Sequence, residues 1–473
     1  MRRQTFALSL AAGAAAPFSA MRADAASVGA HVADLRFGFA PVPDKRPGFN
    51  PAGDAKALLL PTTETPARVA VPGRIYTTDA NGETSVVRVP DAWNGSLIVA
   101  GTPATRSAYA NDLIWGEFAL ARGYAFASGN KGVPYNAIVE PAATTPLSRA
   151  AYPVPFDAAG LASKGLVIRL GLLEPKPVPI EDWNESYRRL VVHAKDVLQS
   201  NHAAPKYTYA VGLSNGGAQV RTLLERSPEL VDGGVEWSSV YWSPEANFLD
   251  YFPPFLKLMP DYIASDYRDT SIVEKLVAFG FPRDVVQADP AHRSLYGEYY
   301  SNVPPYYSDL TVYAYALLID PQAAAAFGPQ PCAAAANPRL PGACTGTGLA
   351  LPASRANYVL SPAGRANVRR FAHSGAIQKP LVSVAGTHDA FITPKNNALA
   401  YARAIAGAKK SALHQLFLVE GGTHVDTFAA FGYGLQAQAP FAWAAFDRLV
   451  ATIANGKPAP HAPRTVRTPS EIA

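Results

Sequence analysis

Cysteine is nearly absent from this chain: its 473 residues include two, Cys332 and Cys344. Neither these nor the nine histidines fall into a metal-ligand spacing, which leaves no zinc-finger or thiolate-cluster reading. Charge is also sparse, at 17% of residues with a net of +5. The basic residues are scattered rather than clustered, so no nucleic-acid site is expected. No glycine-rich phosphate loop occurs. Beyond the N-terminus, no apolar run is long enough to span a membrane. What is present is a chain with 48% hydrophobic residues, long enough to bury a substantial core, for which neither metal nor cofactor is expected.

The first 25 residues read as an export signal. Arg2 and Arg3 precede an Ala-rich apolar run from Phe6 to Ala16, and Ala23-Asp24-Ala25 offers a small-x-small cleavage site. Sec and twin-arginine export both fit. The predicted destination is therefore periplasmic or extracellular. In such a compartment Cys332 and Cys344, within one Pro/Ala/Gly-rich loop, are expected to form a disulfide, with two free thiols as the alternative.

The most informative stretch is Lys206 to Gly217. A β-rich run (Tyr207, Tyr209, Val211) leads into Gly212-Leu213-Ser214-Asn215-Gly216, and an amphipathic helical pattern follows. Gly-x-Ser-x-Gly between a strand and a helix makes a turn so tight that small residues must flank the serine two positions away on either side. Ser214 is then a candidate nucleophile held in a strained conformation at the C-terminal edge of a sheet.

A nucleophilic serine needs a base, and the base needs an orienting acid. Leu381 to Ala385 reads as a strand running into a turn that carries Asp389. A helix over Asn396 to Ala406 comes next, then a strand over His414 to Glu420 that ends in Gly421-Gly422-Thr423-His424. Ser214, Asp389 and His424 thus fall in the order serine, acid, histidine, each just after a strand. His388 reads as a loop or pocket residue and His193 as a surface or packing residue. Asp426 reads as a helix N-cap, with a pocket role as the alternative. Glu420 is the second choice for the acid. Two backbone donors should face the developing oxyanion. One is the N–H of Asn215. The other comes from the loop Gly101-Thr102-Pro103-Ala104, where Pro103 has no N–H, so Thr102 is the first choice and Ala104 the second.

Strands are predicted near 69–77, 84–89, 96–100, 124–128 and 231–238, with helices near 108–122 and 183–200. Alternation of this kind predicts an α/β fold with a mostly parallel central sheet and helices on both faces. The proposed divisions are a signal peptide (1–25), an extended arm (26–68), a core (69–239 and 371–455), an inserted cap (240–370) and a tail (456–473). Eleven of the 22 tyrosines fall between Tyr241 and Tyr315. An apolar ring tipped with a hydroxyl suits a cleft for a bulky, partly polar substrate.

Gly-Leu-Ser-Asn-Gly-Gly, Gly-Thr-His-Asp and Gly-Gly-Thr-His-Val-Asp resemble the α/β-hydrolase superfamily over about residues 69–240 and 370–455. Within it the chain is similar to exported tannase/feruloyl-esterase-like enzymes and to 3-hydroxybutyrate oligomer hydrolases. The tannase-like group has cysteines beside the serine and the histidine, where this chain has Leu213 and Val425, and that departure counts against the branch. The resemblance implies a carboxylic-ester hydrolase acting through an acyl-enzyme on a small-molecule or oligomeric ester. An amidase or peptidase with the same triad and a catalytically silent binding protein are the alternatives.

Overall fold

A computed structural model describes residues 29–36, 69–80, 82–133, 137–139, 167–169, 173, 177–298, 304–325, 327, 353–456 and 462–472. The predicted signal peptide, most of the arm, and Cys332 and Cys344 lie outside the described residues.

Twelve strands form among the described residues: β1 (Ala30–Val32), β2 (Gly73–Ala80), β3 (Glu83–Pro90), β4 (Ser96–Gly101), β5 (Ala125–Gly129), β6 (Ala137–Val139), β7 (Val167–Arg169), β8 (Tyr207–Leu213), β9 (Gly233–Trp237), β10 (Leu381–Gly386), β11 (His414–Val419) and β12 (Arg464–Val466). Ten make one sheet in the order β1-β2-β3-β5-β4-β8-β9-β10-β11-β12, while β6 and β7 pair separately. From β5 to β12 the neighbours run parallel, and β1, β2 and β3 close one edge antiparallel. Every residue of β4 (SLIVAG) and β10 (LVSVAG) is buried, as expected of strands covered on both faces.

The helix Ile180–Asn201 shows how pattern becomes packing. Trp183, Tyr187, Leu190, Val191, Ala194, Val197 and Leu198 recur at three- and four-residue steps, and all are buried. The Tyr187 hydroxyl donates to the Val99 carbonyl at 2.9 Å, tying this helix to β4. The chain leaves β4 toward β5 on one side and returns through this helix to β8 on the other. A crevice therefore opens at the C-terminal ends of β4 and β8, where the strand order reverses.

Three segments depart from expectation. The helix predicted near 108–122 is a wide π-turn (Asp112–Gly116) followed by one α-turn (Glu117–Leu120). Its start is anchored sideways, by the bidentate buried pair of Arg88 with Asp112 and by Asn111 Nδ2 on the Gly101 carbonyl, so the turn follows its anchors. The arm supplies β1, and the tail supplies β12 beside β11. Between β9 and β10 the described residues form helices only, including Phe248–Ala264, Thr270–Ala278, Pro304–Ile319 and Pro362–Arg369. The first of these starts on a reciprocal cap between Asn247 and Asp250. Phe252 and Phe255 of that helix then pack on Phe281.

At the crevice the chain leaves no room for side chains. A Cβ on Gly101, the last residue of β4, would overlap the Gly216 carbonyl behind the serine turn. Gly101→Ala is expected to destabilise the protein by about 1–3 kcal/mol, the usual cost of overpacking. Urea unfolding should show a lower midpoint with an unchanged slope.

Candidate active site

Ser214 follows β8 with φ 58° and ψ −122°, a left-handed conformation that costs a non-glycine residue about 1–3 kcal/mol. Three main-chain hydrogen bonds hold it there. Its N–H donates to Trp237 O at 2.9 Å, and its carbonyl accepts from Ala218 N at 3.1 Å and Val240 N at 3.3 Å. A strained serine between a central parallel strand and the helix Asn215–Arg226, in a sheet of this order, decides the architecture. The fold is that of the α/β hydrolases.

Asp389 and His424 lie on the same edge of the sheet, after β10 and β11. His424 Nδ1 and Asp389 Oδ2 are 3.0 Å apart. Asp389 is fully buried, and its other oxygen accepts from Phe391 N at 2.9 Å and Ile392 N at 2.7 Å, which fixes the carboxylate plane. The two loops are stitched together by Thr387 N on Val419 O and His388 N on Gly422 O, both at 2.9 Å. The Phe391 ring packs edge-on against the imidazole at 5.2 Å. Among the described residues no hydrogen bond joins Ser214 Oγ to His424 Nε2, a contact that often tightens only when substrate is bound.

The other candidates are occupied elsewhere. Glu420 pairs with Arg467 at 2.7 Å. His193 hydrogen-bonds Thr78 at 3.1 Å, and His388 Nδ1 meets Thr387 Oγ1 at 2.8 Å, with burial lowering the pKa of both rings.

The oxyanion donors divide. The Asn215 N–H, at the start of its helix, is bonded to no described residue, as expected of a first-turn donor. Thr102 differs from expectation: its N–H already donates to Gln219 Oε1 at 3.0 Å. Gln219 lies one turn along the helix that starts at Asn215, so its amide reaches β4's loop, and its Nε2 donates to Trp183 O at 2.7 Å. Thr102 Oγ1 donates to the Gly129 carbonyl, and the Thr102 carbonyl accepts from Lys131 Nζ at 3.0 Å. The loop is thus fully tied at Thr102. The Ala104 N–H, on a residue at φ 43°, is bonded to no described residue.

Sequence reasoning missed Gln219, Lys131 and Gln438. Each is polar and buried, and none belongs to a motif itself. Gln438 Nε2 donates to the Thr423 carbonyl and lies 3.2 Å from Ser238 Oγ. Asp426 is the N-cap of neither nearby helix; it accepts from Gln438 N at 2.6 Å and Ala439 N at 3.1 Å, at the start of Ala439–Asn455. These bonds moor the histidine loop to the core. From the helix Pro304–Ile319, Tyr315 accepts a 2.7 Å hydrogen bond from Asn215 Nδ2, and burial raises the Tyr315 pKa to about 12.

Among the described residues no group of three or more His, Cys, Asp or Glu side chains is placed to hold a metal ion, and no helix is long and apolar enough to cross a membrane. No protein-family model matches the chain, and no curated protein matches its sequence. Solved structures do align. Feruloyl esterase B from Aspergillus oryzae is 13% identical, covering 76% of this chain and 77% of that one, with a TM-score of 0.41. Tannin acyl hydrolase from Aspergillus niger is 10% identical, covering 86% and 87%, with a TM-score of 0.41. The rice cell wall degrading esterase LipA from Xanthomonas oryzae is 13% identical, covering 81% and 90%, with a TM-score of 0.39. The fold assignment rests on the strand order and the serine turn themselves.

Asp426 yields a prediction about pH. Its carboxyl is fully buried, and desolvation raises its pKa from 3.8 to about 7, against the two backbone donors that favour the anion. The folded state then binds this proton more tightly than the unfolded chain does. Its contribution to stability is fully present below about pH 4 and is lost as pH rises to 7, by about 4 kcal/mol at the limit. Replacing Asp426 by Asn should remove this component. Urea midpoints of wild type and variant, measured from pH 4 to 8, should converge or cross as pH rises; parallel profiles would refute the assignment.

Proposed function

We propose that this chain is an exported carboxylic-ester hydrolase that works through an acyl-enzyme on Ser214. The observation that carries the reading is the hydrogen-bonded pair of His424 and Asp389 on the same sheet edge as a serine at φ 58°. In this mechanism His424 Nε2 takes the Ser214 proton as Oγ attacks the ester carbonyl. Asp389 accepts from Nδ1–H, holding the productive tautomer and stabilising the imidazolium. The Asn215 and Ala104 N–H groups receive the oxyanion, each worth about 3 kcal/mol of barrier. The imidazolium then protonates the leaving alcohol, and water repeats the sequence to release the acid. An ester of a hydroxy acid, or an oligoester, is the proposed substrate, supported by the tyrosines of the cap and by the place of Tyr315 against Asn215.

The test is hydrolysis of 4-nitrophenyl acetate, butyrate and octanoate beside 3-hydroxybutyrate oligomers, together with labelling by a serine-reactive phosphonate. Ser214→Ala should lower kcat by roughly a million-fold and abolish labelling. Asp389→Asn should keep the fold and lower kcat by about ten-thousand-fold, since the imidazole then settles in the wrong tautomer. Wild-type protein that neither turns over an ester nor labels would end the enzyme reading.

A further inference from the structure

Among the described residues, Lys131 is a buried cation with no acidic partner. It follows β5 at φ 53° and is 3% exposed. Within the described residues its ammonium makes one hydrogen bond, to the neutral Thr102 carbonyl at 3.0 Å, and lies 4.5 Å from the centre of the Trp183 ring. Glu83, whose carboxylate lies beside the adjoining Gly132, is already engaged by Ser186 Oγ at 2.7 Å and Arg189 Nη2 at 2.8 Å. A desolvated ammonium supported only by a carbonyl and a ring face is expensive to keep charged, and an arriving anion would relieve that cost. Burial accordingly lowers the Lys131 pKa to about 7.

Its position puts this cation one loop away from the serine turn. β5 is two strands from β8 in the sheet, and strands lie about 4.8 Å apart, so the ends of β5 and β8 are about 10 Å apart. The Thr102 loop lies between Lys131 and the helix behind Ser214, bonded to both sides. Trp183, over whose face the ammonium sits, also contacts Tyr315, which reaches Asn215.

We propose that Lys131 forms a carboxylate-binding subsite, so that the favoured substrate is an ester bearing a free carboxylate a few bonds from the scissile carbonyl. The inference rests on Ser214 being the nucleophile, and it narrows the substrate class. Hydroxy-acid dimers and half-esters of dicarboxylic acids have this chemistry.

Two substrate pairs test it: mono-4-nitrophenyl glutarate against its methyl-capped form, and the 3-hydroxybutyrate dimer against its methyl ester. In at least one pair, wild type should favour the free acid by about tenfold or more in kcat/KM. Lys131→Met should lower both rates, because Thr102 loses a donor, and should bring the ratio to near one; Lys131→Arg should keep most of it. Phosphonate labelling of Ser214 reports whether each variant is folded. A wild-type ratio near one in both pairs would overturn the subsite, as would a ratio unchanged in a labelled Lys131→Met. Either outcome leaves the hydrolase reading intact wherever the capped esters turn over, whereas failure of all esters and of labelling would remove that reading first.

Discussion

Main chain touching main chain at four glycines is the constraint on which this molecule's crevice depends. Gly101 meets Gly216, so the loop after β4 and the turn after β8 approach as closely as backbones can. Gly386 meets Gly422 in the same way, joining the loop that carries Asp389 to the one that carries His424. Any Cβ at these points would force the loops apart. Both contacts lie at the C-terminal ends of parallel strands, where side chains from separate segments converge. The short reach of a serine, an imidazole and a carboxylate demands loops this close, and glycine makes that spacing available without a hinge.

Beneath the serine turn lies a second, ionic layer. Arg221, on the helix behind Ser214, donates to both oxygens of Glu236 on β9, at 2.5 and 2.7 Å, and both residues are buried. Ser383 on β10 donates to Glu236 at 2.5 Å and lies 2.9 Å from His414 on β11. The guanidinium also stacks over the Tyr401 ring at 4.1 Å. The chain of contacts crosses β9, β10 and β11 and is anchored to the helix that starts at Asn215. Removing one partner of such a pair costs about 3–5 kcal/mol, because the other charge is left buried and alone. The arrangement therefore penalises any slip between the strand before Ser214 and those before Asp389 and His424. It also gives the strained serine a rigid base, so that strain is held in the turn and not relaxed along the helix.

The parallel core was legible because its signals are local. Apolar runs of five or six residues mark β4, β10 and β11, and Gly-x-Ser-x-Gly declares its own turn. The proposed triad was legible for the same reason, since each member follows a strand that can be read without knowing its neighbours. Thr102 shows the limit. Its N–H was a sound choice from the loop sequence, yet it is consumed by Gln219, 117 residues away. Nothing near Gln219 in sequence marks it as the partner of that loop. Asp426 was expected to be a helix N-cap; instead it sits inside its own short helix and accepts from Gln438 N and Ala439 N at the start of another helix, whose N-cap is Gln438. Side-chain to backbone bonds across such separations are set by the assembled fold. A pattern of period two or 3.6 contains no trace of them.

The helices between β9 and β10 pack against residues beside the proposed catalytic groups. Tyr315 holds the side chain of Asn215, the residue whose N–H is proposed to receive the oxyanion. Phe248 and Phe252 pack edge-on against Phe391, whose ring in turn rests on His424. Tyr251 donates to the Phe391 carbonyl at 3.3 Å and accepts from Asn397 at 3.2 Å. Two of the proposed catalytic groups are thus packed by the helices between β9 and β10. A ligand that shifts the Phe248–Ala264 helix must move the surface against which the imidazole rests. One that displaces Tyr315 must free the Asn215 amide. On the proposed reading, with these helices lining the substrate cleft, a poorly fitting ester would lose turnover as well as affinity, because the same aromatic contacts support the proposed catalytic groups.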